Sequence, residues 1–137
     1  MPEASAALLA MGKAVDDAGL SRELTELVKL RISQINGCAF CIALHLGIAR
    51  RIGIDDAKVA SIEGWQHGAL FSPREKAALA FAEHLTGMRA GTGSRQAFAA
   101  LLAHFSQEEA VQLTVAIANI NTWNRISGGL GFLPPKG

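Results

Sequence analysis

The chain has 137 residues, half of them hydrophobic and 18% charged, with 13 Lys and Arg against 12 Asp and Glu for a formal net charge of +1. That length predicts one domain with a core that needs no staples, and so apolar a composition points to burial of surface in an oligomer. Near-neutral charge, with basic residues scattered singly or in pairs such as Arg50-Arg51, gives no footing to nucleic acid or to an anionic membrane.

Apolar residues recur at three- and four-residue spacing almost throughout and no interval alternates strictly, so the expected fold class is all-α. The opening "MPEASAALLAMGKAV" carries Glu3 and lacks a positive segment before its apolar run, unlike a secretory signal, and a helix is predicted over 3–18. Gly19 separates it from a helix over 21–35, and Asn36-Gly37 separates that from one over 38–52. Gly53 precedes a helix over 55–67, which ends at Gly68. "SPRE" from Ser72 to Glu75 is a capping box with proline at the first helical position, and it opens a helix over 73–87. Beyond the "GMRAGTG" loop a helix covers 94–104, and a second capping box, "SQEE" from Ser106 to Glu109, opens the last helix over 107–127. The apolar stretch Val111 to Ile120 holds Gln112 and Asn119 and soon meets Asn121, Asn124 and Arg125, so it is too short and too polar to span a bilayer. "LPPKG" reads as a loose tail. The expectation is a single domain over 1–137, soluble and cytoplasmic, a setting in which paired cysteines are more often catalytic or metal-binding than structural.

The stretch "GCAFCIALH" at 37–45 holds the only two cysteines, Cys38 and Cys41, with His45. In the first turns of one helix these three share a face, and side chains three or four residues apart have Cβ atoms about 5 to 6 Å apart. A disulfide between Cys38 and Cys41 could open and close at that separation. A helix N-terminus stabilises a thiolate, and a neighbouring imidazole can take its proton. The carboxylate partner of His45 should lie on the preceding helix. Glu26 is about 15 Å back from Asn36 at 1.5 Å per residue and His45 about 12 Å past Gly37, so a tight antiparallel hairpin sets them side by side, whereas Glu23 overshoots by about one turn. The predicted row is carboxylate, imidazole, thiol, thiol. Three rival readings remain at this point. Zinc would need a fourth ligand, the cysteines could be inert core thiols, and Glu23, Glu26 and Lys29 could be merely a solvated helix face.

"LRISQINGCAFCIALH", with Glu26 twelve residues ahead of Cys38, resembles the carboxymuconolactone decarboxylase superfamily, and within it the AhpD-like alkylhydroperoxidases, whose signature is Glu-x(11)-Cys-x-x-Cys-x(3)-His. All four positions match, and the resemblance continues through Trp65, "FSPREKAALAFAEHLT" and "INTWNRI", so it is strongest from about residue 20 to 128. It implies an all-helical fold, homo-oligomers that are commonly trimers or hexamers, and thiol-dependent reduction of hydroperoxides without a metal or other cofactor. It also implies a proton relay on Glu26 and His45, and a redox pair in which Cys41 meets the peroxide and Cys38 resolves it. The implied partners are a hydroperoxide and an external dithiol reductant such as a lipoyl-bearing protein. Two alternatives accompany this reading: the acid–base lactone decarboxylase of the same superfamily, which needs no cysteine pair, and a non-catalytic redox or zinc-binding module.

The remaining residues are expected to be structural. His67, His84 and His104 fall in the last turns of predicted helices, where a partly cationic ring suits the dipole. Trp65 and Trp123, with Phe71, Phe81 and Phe98, are read as core or interface anchors, and Asn121, Asn124 and Arg125 as helix caps or bridges.

Overall fold

The computed structural model describes residues 1–88 and 93–134, and among these there are seven α-helices and no strand. They are α1 (Pro2–Ala18), α2 (Arg22–Asn36), α3 (Ala39–Arg51), α4 (Asp56–Ala60), α5 (Pro73–Gly87), α6 (Ser94–Leu102) and α7 (Gln107–Gly129). The all-α expectation therefore holds. Most of the "GMRAGTG" break and the end of the tail lie outside the described residues.

Helix α2 is the centre of the molecule and packs against α3, α5 and α7. Its Leu24, Leu27, Val28, Leu30 and Ile32 are buried with almost no exposure, the pattern of a helix surrounded by others. Both capping boxes are formed. Ser72 accepts from Glu75 N–H at 3.1 Å while Glu75 accepts from Ser72 N–H at 2.8 Å, and the Ser106–Glu109 pair repeats this at 3.1 and 2.9 Å. Gly37, at φ 68°, takes the left-handed conformation that ends α2 and lets α3 run back along it.

One predicted helix is wrong in extent. The segment 55–67 is helical only over Asp56–Ala60, followed by a single 3-10 turn at Ile62–Gly64. Ser61 turns its hydroxyl back to the Ala57 carbonyl at 2.7 Å, a local bond that competes with helix continuation. The tighter turn then places Ile62 and Trp65 in the core, where the indole N–H donates to Glu83 at 2.9 Å. Trp65, Phe71 and Phe81 are core residues as expected, whereas Phe98 is 40% exposed and only its neighbour Phe81 is buried. His67 and His104 fall in turns beyond the shortened helices, and only His84 occupies a last helical turn.

Polar residues bridge α2 to α7 as expected of Asn121 and Asn124. Asn36 Nδ2 donates to Asn121 Oδ1 and to Asn124 Oδ1, both at 2.9 Å, and Asn124 Nδ2 donates to Ser33 Oγ at 3.1 Å. Arg125 folds back onto Asn121 of its own helix at 3.1 Å.

Candidate functional site

The turn between α2 and α3 carries the cysteines. Cys38 lies outside the first helical turn, as the N-cap of α3: its N–H donates to the Ser33 carbonyl at 3.1 Å and its Sγ accepts from Cys41 N–H at 3.3 Å. Sulfur thus stands where Ser or Asp usually caps a helix. Cys38 and Cys41 form a disulfide with Cα atoms 5.2 Å apart. Both are buried, Cys38 at 1% and Cys41 at 3% exposure.

One turn beyond Cys41, His45 presents Nδ1 to Glu26 Oε2 at 2.8 Å. The hairpin register thereby brings Glu26, and not Glu23, to the imidazole. Glu23 sits half-exposed near Lys58 at 3.5 Å. Burial pushes the Glu26 carboxyl up, but the His45 hydrogen bond and the charges of His45, Lys29 and Arg22 outweigh it and hold the group below its ordinary range. Arg22 and Lys29 approach the other oxygen, Oε1, at 3.6 and 3.9 Å. An ionised carboxylate can only accept, so Nδ1 of His45 carries the proton shared with Glu26, and Nε2 is the ring nitrogen that Glu26 does not engage.

A cleft of about 500 Å³ opens beside this group, walled by α1, α3 and α7. Its surface is mainly apolar, with Leu8, Phe40, Leu44, Ile120 and Trp123 among the lining residues, and Phe132 also lines it, edge-on to Phe40 at 5.8 Å between centroids. Cys41 and His45 line this cleft and Cys38 does not. Cys38 is instead covered by α7, where a Cβ at Gly128 would lie 3.8 Å from its own. The Trp123 carbonyl oxygen is 4.0 Å from Cys41 Sγ.

Every residue of the predicted row is therefore brought together, while His67, His84 and His104 are absent from the cleft lining. Among the described residues, no three His, Cys, Asp or Glu side chains form a cluster suited to a metal ion. Sequence reasoning missed Trp123 and Asn119 as cleft residues and missed the wall supplied by α1. Asn119 had one visible signal, an amide inside an apolar helical stretch four residues before Trp123 and on the same face.

Comparison with known proteins follows the same lines. The sequence profile of the carboxymuconolactone decarboxylase family matches residues 2–84. YdfG of Bacillus subtilis (strain 168), an uncharacterised protein, is 35% identical over 130 residues, covering 95% of this chain and 88% of its own. The crystal structure of an Agrobacterium tumefaciens protein of unknown function, proposed as an antioxidant defence protein AhpD, is 39% identical, with a TM-score of 0.93 over 100% of this chain and 94% of that one. The debrominase Bmp8, solved with 2,3,4-tribromopyrrole, shares the fold at a TM-score of 0.86 and 23% identity, covering 98% of this chain and 72% of its own.

Proposed function

The chain belongs to the carboxymuconolactone decarboxylase family, in its AhpD-like branch, and from that premise we propose that it is a thiol-dependent peroxidase acting on organic hydroperoxides. The observation that carries the reading is the 2.8 Å contact of Glu26 with His45 beside a dithiol of which only Cys41 lines the cleft.

In the proposed cycle His45 Nε2 takes the Cys41 proton, and the thiolate attacks the distal oxygen of the hydroperoxide. The S–O bond forms as the O–O bond breaks, and the alkoxide leaves with the electron pair and receives the proton back from His45. Sulfur is oxidised to the sulfenic acid, and oxygen is reduced to an alcohol. Cys38 then attacks Cys41 Sγ, forming the disulfide and releasing water. An external dithiol, such as a lipoyl-bearing protein, reduces that disulfide and is oxidised in turn. Glu26 holds the tautomer and stabilises the imidazolium. The apolar cleft suits a substrate with a hydrocarbon body, and the proposed active form is a homo-oligomer, a trimer or hexamer.

The test is to offer the fully reduced protein hydrogen peroxide, an alkyl hydroperoxide and a muconolactone separately, then to count thiols and measure product. Loss of both thiols to a hydroperoxide, faster for the alkyl form, is expected. Turnover of the lactone with both thiols intact would overturn the proposal.

A further inference from the structure

Every residue of α2 from 24 to 30 is buried except Lys29, whose side chain keeps 15% exposure. Lys29 is also the one residue that α2 contributes to the lining of the cleft. A charge on the central helix is costly unless it is well paired, and the pairing here is incomplete. Lys29 Nζ stands 3.9 Å from Glu26 Oε1, beyond hydrogen-bond reach, and Arg22 approaches the same oxygen more closely at 3.6 Å. The other oxygen, Oε2, is engaged by His45. One carboxylate thus faces two cations, which leaves a surplus of one positive charge while His45 is neutral. Arg22 is half-exposed and solvated, whereas Lys29 borders the cleft.

The other polar groups of the cleft do not offset that charge. Asp16 is the one carboxylate in the lining, and it is exposed on α1 beside Lys13, which pairs with Asp17 at 2.5 Å. Water and salt screen charges so placed. Asn119 and Ser127, on the α7 wall, are neutral, and most of the remaining lining is apolar. The cleft therefore joins a hydrocarbon-lined body to one under-neutralised ammonium, in the same lining as Cys41 and His45. An ammonium set among apolar walls attracts an anion more strongly than one in bulk water, and a carboxylate on a ligand can give it the short charge-assisted hydrogen bond that Glu26 does not.

We propose, resting on the peroxidase reading above, that the substrate is an anionic hydroperoxide, a hydrocarbon chain bearing both a hydroperoxide and a carboxylate, and that Lys29 binds the carboxylate while Cys41 receives the peroxide. The contact adds no step to the reaction. The carboxylate enters and leaves ionised, and electrons and protons move as in the cycle already given.

The experiment oxidises the reduced protein with ω-hydroperoxyhexanoate or with its methyl ester, in wild type, Lys29→Met and Lys29→Arg, and reads the second-order rate of thiol loss. Wild type should prefer the acid by about 10- to 100-fold, the scale of one hydrogen bond between charged groups. Lys29→Met should bring the acid-to-ester ratio near one, and Lys29→Arg should restore most of it. Removing Lys29 also alters the field at Glu26, but that change acts on both substrates alike and cancels in the ratio. A second measurement needs no peroxide chemistry: hexanoate, but not methyl hexanoate, should protect Cys41 of the reduced wild type from iodoacetamide, and Lys29→Met should lose the protection. A ratio near one in wild type, or the same ratio in wild type and Lys29→Met, would overturn the assignment while leaving the peroxidase reading intact. Protection by hexanoate in a protein that loses no thiol to either hydroperoxide would overturn the peroxidase reading and keep the anion site.

Discussion

Replacing Glu26 by Gln keeps the shape of a side chain that is 1% exposed and removes only its charge. The amide oxygen can still accept from His45 Nδ1–H, so the tautomer survives. What is lost is the partner of the imidazolium that forms when His45 holds the Cys41 proton. Unit charges about 4 Å apart attract by about 4 kcal/mol at an effective dielectric near 20, and a neutral hydrogen bond returns about 1 kcal/mol. The remaining loss of about 3 kcal/mol corresponds to about a 10²-fold slower peroxide step. Arg22 and Lys29, 3.6 and 3.9 Å from the vanished charge, disfavour the imidazolium further. Stopped-flow oxidation of the reduced protein measures the step directly. Glu23→Gln is the control: its carboxylate makes only an exposed pair with Lys58, of a kind worth about 0 to 1 kcal/mol, and its rate should match wild type. A Glu26→Gln rate within about threefold of wild type, or a loss in Glu23→Gln instead, would refute the relay.

Other outcomes follow from the same structure. Treated with one equivalent of hydroperoxide and a dimedone-type reagent, Cys38→Ser should be labelled at Cys41 and Cys41→Ser should stay unlabelled, whereas labelling at Cys38 alone would reverse the roles. Because the folded pKa of Glu26 lies below its unfolded value of about 4.3, its stabilising contribution is complete above about pH 5 and is lost as pH falls through the folded value. Denaturant midpoints should accordingly drop less on acidification in Glu26→Gln than in wild type, and parallel pH curves would count against the ion pair. Light scattering should give a mass above that of the 14.4 kDa chain, since Leu9, Leu44 and Phe132 are exposed near the cleft, and a monomer at micromolar concentration would contradict the oligomer. Hydrogen exchange should find α1, largely exposed and packed chiefly on α7, far less protected than α2, and equal protection would show the cleft wall to be as rigid as the core.

Helix positions were legible where side chains act on their own backbone. Ser72, Ser106 and Gly37 end or begin helices through bonds made within a few residues, and the helices they border fall where expected. The Glu26–His45 contact was also within reach, because a tight hairpin makes it a matter of rise per residue. The segment 55–67 failed because periodicity registers neither the Ser61 back-bond to Ala57 nor the hydrogen bond from Trp65 to Glu83, eighteen residues further on. The cleft was illegible for the same reason. Its α1 wall meets α7 across more than 100 residues of chain, and only that meeting turns Trp123 and Asn119 from helix residues into lining.

The division of labour between the sulfurs follows from their surroundings more than from their order in the helix. At the N-cap Cys38 stands in the stronger dipole field, an advantage of about 0.3 to 1 kcal/mol, or less than one pKa unit. That advantage is of no use to a sulfur that a peroxide cannot reach, and Cys38 is sealed beneath α7. Cys41 lines the cleft one turn from the base, so on the proposed cycle access and proton removal act on the same atom. The cap then acquires a second meaning. With the Cys38–Cys41 disulfide closed, Cys38 Sγ accepts from Cys41 N–H and α3 is wound from Ala39 onward. The disulfide that ends the proposed cycle is therefore accommodated with no unwinding of the helix, and the bond that starts α3 is kept in the closed form.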